Sequence, residues 1–344
     1  MQPIIYATEA ITALGDSQAM SSCAIAAGLS AFENHPFMLD MAGAPYKVAM
    51  VPLLEPGETQ RIPSLVEKIL NTTLAKLPTV TESVDLLINL PAPRPGLPPT
   101  IAQDVLNVAQ AAVASHQNVQ IFIAEQGRMG GALAVQSVQK RLADGVEFVV
   151  VLAADSYFDA TTLSWLDLTG QLLTQVNAWG MVPGEAAAAT VFCSPETAST
   201  EKQPSAVKLV AVGIANEPGF AQTPPVCTGE GLTTALDSVL AELPADATID
   251  DALSDTNGQL VRTDELGFMF TRRSQYFSEP GKMNTPVDAC GDVGAASIPL
   301  LINLACELNT AVNVVLASSG GVHEGQKEPA KRAVILLEVA THGA

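Results

Sequence analysis

GRMG at residues 127–130 and GDVG at residues 291–294 decide how this chain is read. Each opens a helix-like run, and each run leads to a β-rich segment, EFVVVLAA at 147–154 and NVVLAS at 313–318. Gly127 to Gly291, Gly130 to Gly294 and Leu152 to Leu316 are all 164 residues apart. Upstream, VDLLINL at 84–90 and IDDAL at 249–253 keep about the same spacing. Residues 186–193 and 332–338 then read as the closing strand of each half. An ungapped offset held over this length marks an internal repeat.

Working outward, apolar residues recur at helical period. Ile101, Val105, Val108 and Ala112 form one stripe, and Leu232, Ala235, Leu236, Val239, Leu240 and Leu243 another. Short β-rich runs at 4–7, Val119–Ala124 and 207–214 alternate with them. Such alternation predicts parallel strands with helices packed on them, hence an α/β protein. Two similar halves are expected, residues 1–200 and 201–344, joined by the polar segment 194–205.

Composition narrows the function classes. Hydrophobic residues make up 48% of the 344 and charged residues only 15%, so most of the chain is buried or packed in an oligomer. No apolar run reaches the roughly 18 residues that a membrane span needs. MQPIIYATEA lacks the basic start of a secretory signal, so a cytoplasmic protein is the expectation. A net charge of −19 repels nucleic-acid backbones, and no stretch is dense in Lys and Arg. An acidic protein partner would need a local basic patch, for which Lys140–Arg141 and Lys327, Lys331 and Arg332 are the clusters on offer. Five widely spaced cysteines form no metal pattern and read as reduced thiols. Neither GxGxxG nor GxxxxGK[ST] occurs, so no nucleotide cofactor or metal is expected.

Taken in order along nearly the whole chain, a set of individually weak motifs resembles the β-ketoacyl synthases, the condensing enzymes of fatty-acid and polyketide biosynthesis. Residues 3–34 are similar to that family's opening strand, its Gly turn and the "aGlSaf" helix. Residues 127–145 resemble the segment around its nucleophile, with Ala134, Leu142 and Gly145 in register. ADSYFDATTLSWLD at 154–167 and GMVPGEAAA at 180–188 resemble "ggvdsy" and "GfvpGEGA". Residues 291–297 resemble the "GHTxxAAG" loop, and Ser318-Ser-Gly-Gly321 the closing Gly-rich loop. The resemblance implies a thiolase fold: two related α/β halves in α-β-α-β-α layers. It also implies a homodimer through Val119–Ala124, and an acyl carrier protein or a ketosynthase as further partners.

The departures bear on activity. A condensing enzyme needs a thiolate at a helix N-terminus to accept the acyl group. It also needs imidazoles to stabilise the enolate oxygen left by decarboxylation. With the register fixed on Gly131 and Leu142, Arg128 stands at the family's cysteine. Ser254 falls at the first histidine, Asp292 at the second and Val287 at the lysine. His35, His116, His323 and His342 match none of these places. The resemblance therefore implies a vestigial site, with ligand-pocket positions at Gly130, Gly131, Asp255, Thr256, Ser318, Ser319, Gly320 and Gly321.

Arg128 and Asp292 lie one repeat offset apart. A cation at a helix N-terminus is opposed by the helix dipole by roughly 0.3–1 kcal/mol, and an Asp across the pocket offsets that. An ion pair plugging the site is one expectation; two unrelated polar residues at glycine-rich helix starts is the other. Cys290 reads as a buried thiol, with a relocated nucleophile as the sharper alternative. Glu185 reads as a structural carboxylate, and Trp165 and Trp179 as packing residues. Two functions remain open. One is a pseudoenzyme acting as partner, scaffold or acyl-ligand-binding protein. The other is an acyltransferase or 3-oxoacyl synthase of altered chemistry, using Cys290, Asp292, Ser254 and Asp255.

Overall fold

Strands near the centre of this protein carry apolar side chains on both faces, and that alternation builds its layers. The computed structural model describes residues 2–55, 57–79, 81–116, 118–201, 207–218, 227–308, 312–320 and 330–339. Strands β1 to β6 are Ile4–Thr12, Glu33–Leu39, Pro45–Val48, Val84–Asn89, Val119–Ala124 and Phe148–Ser156. Strands β7 to β11 are Glu185–Cys193, Val207–Asn216, Asp251–Ser254, Asn313–Ser319 and Lys331–Val339. Helices α1 to α5 are Gln18–Ala26, Arg61–Leu74, Ile101–Ala112, Gly127–Ala143 and Ala160–Leu168. Helices α6 to α10 are Pro195–Thr200, Glu230–Leu240, Leu260–Arg273, Val287–Cys290 and Ser297–Leu308.

Nine strands join in the order β5-β4-β6-β7-β1-β8-β11-β10-β9, and β2 and β3 form a separate hairpin. The first block of five precedes residue 194 and the block of four follows residue 206; they meet at one pair, Ile4 opposite Lys208. Strands β5, β4 and β6 are parallel, and so are β9 and β10. The antiparallel β7 and β11 close each parallel set. Beyond β9 there are only two isolated parallel bridges among the described residues, Ile249 to Phe277 and Leu253 to Asn284.

Alternate residues of each strand enter different cores. Val149 and Val151 of β6 and Leu316 of β10 pack with α4 and α10 in one buried cluster. Phe148, Val150 and Leu152 face α2 and α3 instead, while Val315 and Ala317 face α7 and Met269 of α8. The layers are therefore α2/α3, sheet, α4/α10, sheet and α7/α8, which is the thiolase arrangement. Helix α10 is mostly apolar because it lies between the two sheet blocks. Ile298, Leu300, Leu301 and Ile302 are fully buried, each contributing about 1.5–3 kcal/mol. Gly131 permits the close approach of α4 and α10, since a Cβ there would meet Ile298 Cβ at 2.8 Å.

Two local expectations are corrected. The second glycine-rich run does not itself start a helix: Gly291 has φ +72°, Gly294–Ala296 form a 3-10 turn, and α10 begins at Ser297. Residues 27–32 (AGLSAF) lie beyond the C-terminus of α1, with Gly28 at φ +69°. Among the described residues no helix is long and apolar enough to cross a membrane.

Candidate functional site

Helix α4 runs between the sheet blocks, and its second residue is Arg128, 7% exposed. Across from it, the 291–294 loop docks on residues 182–184: Asp292 N donates to Val182 O at 2.8 Å and Gly184 N donates to Asp292 O at 2.9 Å. That contact requires a glycine at 184, because a Cβ would stand 2.4 Å from Cys290 O. The loop delivers the Asp292 carboxylate, fully buried, to the Arg128 guanidinium. Nη2 of Arg128 donates to both carboxylate oxygens at 2.6 Å. Nη1 donates to Ser297 Oγ at 2.8 Å and to Asp255 Oδ2 at 3.1 Å. The pair anticipated from the repeat therefore meets, and Asp255 joins it.

Every remaining acceptor is occupied. Asp292 also accepts from Asn257 Nδ2 at 2.5 Å, Gly294 N at 2.9 Å and Tyr157 Oη at 3.4 Å. Asp255 accepts from Ser318 Oγ at 2.5 Å and Ser319 N at 3.3 Å, and Arg262 Nη1 approaches it to 3.8 Å. Burial opposes the charge on Arg128, yet Asp292 and then Asp255 outweigh it and hold its pKa well above the ordinary value. Burial likewise pushes Asp292 up, but Arg128 and then Arg262 overcome it, leaving the carboxyl at about 2. Burial and then Asp292 push the Tyr157 hydroxyl up, so it stays protonated and can donate.

The cluster floors a cleft of about 790 Å³. Arg94, Asp155, Tyr157 and Arg332 also border it, and Trp165, Trp179, Leu260 and Val261 supply apolar wall. Arg94 Nη2 donates to Asp155 Oδ1 at 2.7 Å, with its guanidinium 4.4 Å from the Tyr157 ring centre. Arg332 is bonded to the buried Glu265, which also accepts from Ser319 Oγ at 2.7 Å.

Of the expected pocket positions, Gly320 borders the cleft, and Arg128 and Asp292 form its floor. The others serve elsewhere. Gly130 packs on Asn89 and Gly131 on Ile298. Ser254 Oγ is bonded to Thr256 Oγ1 at 2.9 Å and Thr256 N donates back to Ser254 Oγ at 3.1 Å, closing the end of β9. Val287 is buried in α9. Ser318 and Ser319 are spent on Asp255, and Gly320 N donates to Lys331 O at 2.9 Å, so neither Ser319 N nor Gly320 N is left as an oxyanion donor. Gly321, Lys327, His323 and His342 lie outside the described residues.

Cys290 does not border the cleft, and its thiol donates to Pro286 O at 3.1 Å. Burial, then Asp292, pushes that thiol up to about 12, the opposite of what a nucleophile needs. Native-state labelling with iodoacetamide, read by peptide mass spectrometry, should therefore modify the exposed Cys23 and leave Cys290 unmodified until urea is added. Within the two basic clusters, Arg141 is paired with Asp85 and stacked on Phe122, and Arg332 is buried.

Sequence reasoning missed Arg94, Tyr157, Asn257 and Arg262. Arg262 sits in the first turn of α8 and is 7% exposed. Asn257 lies in the SDTNG stretch already aligned with a histidine motif, three residues past the position singled out.

No protein-family model matches the sequence, and no curated protein matches it. Solved structures do. The ishigamide ketosynthase/chain length factor superposes with a TM-score of 0.69 at 15% identity, over 99% of this chain and 100% of that one. The type II polyketide ketosynthase of the AntDE:AntF complex with its acyl-carrier protein gives 0.77 at 12% identity, over 98% and 99%. A β-ketoacyl synthase from Burkholderia phymatum STM815 gives 0.71 at 14% identity, over 98% and 99%. The chain thus has the thiolase fold of the ketosynthases and chain length factors.

Proposed function

We propose that this is a ketosynthase-like protein without condensing activity, whose cleft receives an acyl-type ligand. One observation carries the reading: a buried Arg128, locked to Asp292 and Asp255, stands at the helix start where condensation needs a thiolate. A guanidinium cannot form the acyl-enzyme, and among the described residues no histidine borders the cleft. Two donors that would hold an oxyanion, Ser319 N and Gly320 N, are spent inside the protein. An open cleft of about 790 Å³ nevertheless remains, large enough for a small-molecule ligand.

The same reading includes a partner. Strand β5, Val119–Ala124, is one edge of the sheet, with Phe122 40% exposed, and an edge strand can pair with a second strand. A second copy of this chain, or a ketosynthase of the same fold, is the proposed occupant. An acyl carrier protein is a weaker candidate, because both chains would be acidic. The halves 1–200 and 201–344 are proposed as the two repeat units, each contributing one of the central helices.

The test is intact-mass spectrometry after incubation with acetyl-, malonyl- and long-chain acyl-coenzyme A, beside an active ketosynthase. No adduct is expected on this chain while the control is labelled. A stable acyl adduct on any cleft residue would overturn the reading and make the protein an acyltransferase.

A further inference from the structure

The cleft has a charge opposite to that of the protein. Of 17 Lys and Arg residues in the chain, five border it: Arg94, Arg128, Arg262, Lys331 and Arg332. Of 36 Asp and Glu residues, only Glu125, Asp155 and Asp292 do. Cations thus outnumber carboxylates along the cleft, and an excess of one sign between low-dielectric walls concentrates the opposite ion.

Pairing does not consume these cations equally. Arg94, Arg128 and Arg332 are each bonded to a buried carboxylate at close range. Arg262 is not. Its nearest carboxylate, Asp255, is 3.8 Å away and stands closer to Arg128, at 3.1 Å. Nη1 of Arg262 donates to Ser319 O at 2.6 Å and Nε to Gln259 Oε1 at 3.2 Å, while Nη2 has no hydrogen bond among the described residues. Burial and then the neighbouring Arg128 depress its pKa, the mark of a cation short of counter-charge. Lys331, at the same wall, has no ion-pair partner among the described residues.

Backbone charge adds to this. The first turns of α4 and α8 both border the cleft, through Gly127, Arg128 and Met129 and through Leu260, Val261 and Arg262. Neither helix has an acidic residue in that turn or a side chain capping it. Two uncapped N-termini therefore direct partial positive charge into the same space. The walls around them are apolar, with Trp165, Trp179, Leu260 and Val261.

We infer that the cleft binds an amphipathic carboxylate, its head group against Nη2 of Arg262 and its chain along the tryptophan wall. A carboxylate oxygen accepting from Nη2 would make a charge-assisted hydrogen bond there. A thioester, neutral at the reacting carbonyl, would leave that cation unmatched. The assignment deepens the ligand-binding reading of this cleft and rests on it.

Both tryptophans of the chain border the cleft, so intrinsic fluorescence reports occupancy directly. Full-length protein would be titrated with decanoate, decanol and decylamine at neutral pH. Decanoate should bind about tenfold or more tighter than decanol, the factor a charge-assisted hydrogen bond contributes, and decylamine weakest. Arg262→Gln should abolish the preference for decanoate over decanol. Equal affinity of decanoate and decanol for the unmodified protein would overturn the carboxylate assignment while leaving a chain-binding cleft. Binding of neither would overturn both readings. Should the variant fail to fold, the decanoate-to-decanol ratio of the unmodified protein still decides.

Discussion

Arg128→Ala is expected to destabilise the protein by about 3–5 kcal/mol, the cost of leaving a buried ion pair half-removed. Asp292 is fully buried and Asp255 is 2% exposed, so neither can recover its lost cation from water. Asp292 would keep only the Asn257 amide, the Gly294 N–H and the Tyr157 hydroxyl. Urea denaturation measures the loss as a lower midpoint. Asp292→Asn alone should cost less, because Arg128 keeps Asp255 and Ser297. The double variant Arg128→Ala/Asp292→Asn should fall short of the sum by about 1–3 kcal/mol, the coupling typical of residues in one buried network. Strict additivity would mean that the two charges do not support each other.

The same pair sets a pH dependence of known sign. Asp292 ionises at about 2 in the fold against 3.8 for the free side chain. A carboxyl depressed in this way stabilises the fold above its unfolded value, and the stabilisation is lost as pH falls from about 4 towards 2. The contribution is about 2 kcal/mol. Asp292→Asn should therefore flatten the acid limb of the stability profile in that window and leave the neutral plateau lower.

What the sequence disclosed about this site follows from how repeats constrain space. Arg128 and Asp292 lie one repeat offset apart in the sequence, and their side chains meet in the fold. One offset of 164 residues therefore pointed to a contact that local pattern could not. The strands were legible for a similar reason: β6 and β10 are buried on both faces, so their near-continuous apolar runs stand out. The hairpin β2–β3 was not legible, since Phe37 and Leu39 are exposed and no alternation marks a core face. Buried arginines were the main loss. Arg61, Arg94, Arg262 and Arg332 each find an acceptor far along the chain, and nothing in a local window distinguishes them from solvated side chains. The 291–294 segment was misread as a helix start because glycine enrichment marks turns and helix ends alike.

Glu185→Ala should also cost about 3–5 kcal/mol. The carboxylate is fully buried at the start of β7. It accepts Arg61 Nε at 2.7 Å and Nη2 at 2.5 Å, Val51 N at 2.8 Å and Ser156 Oγ at 2.8 Å. Truncation leaves a guanidinium 3% exposed with only Glu55 O as an acceptor, besides an orphaned buried N–H. The residue before it, Gly184, is the one that seats the Asp292 loop. Loss of Glu185 should thus loosen both the 49–51 segment and the cleft floor, lowering the urea midpoint and changing the fluorescence of Trp179 together. A loss below about 0.5 kcal/mol, as for a surface carboxylate, would show that the four hydrogen bonds merely replace those made with water. A large loss with unchanged fluorescence would confine Glu185 to the scaffold and separate it from the cleft. Concerted loss would identify the 182–185 segment as the strut that ties the outer α2 layer to the floor of the cleft.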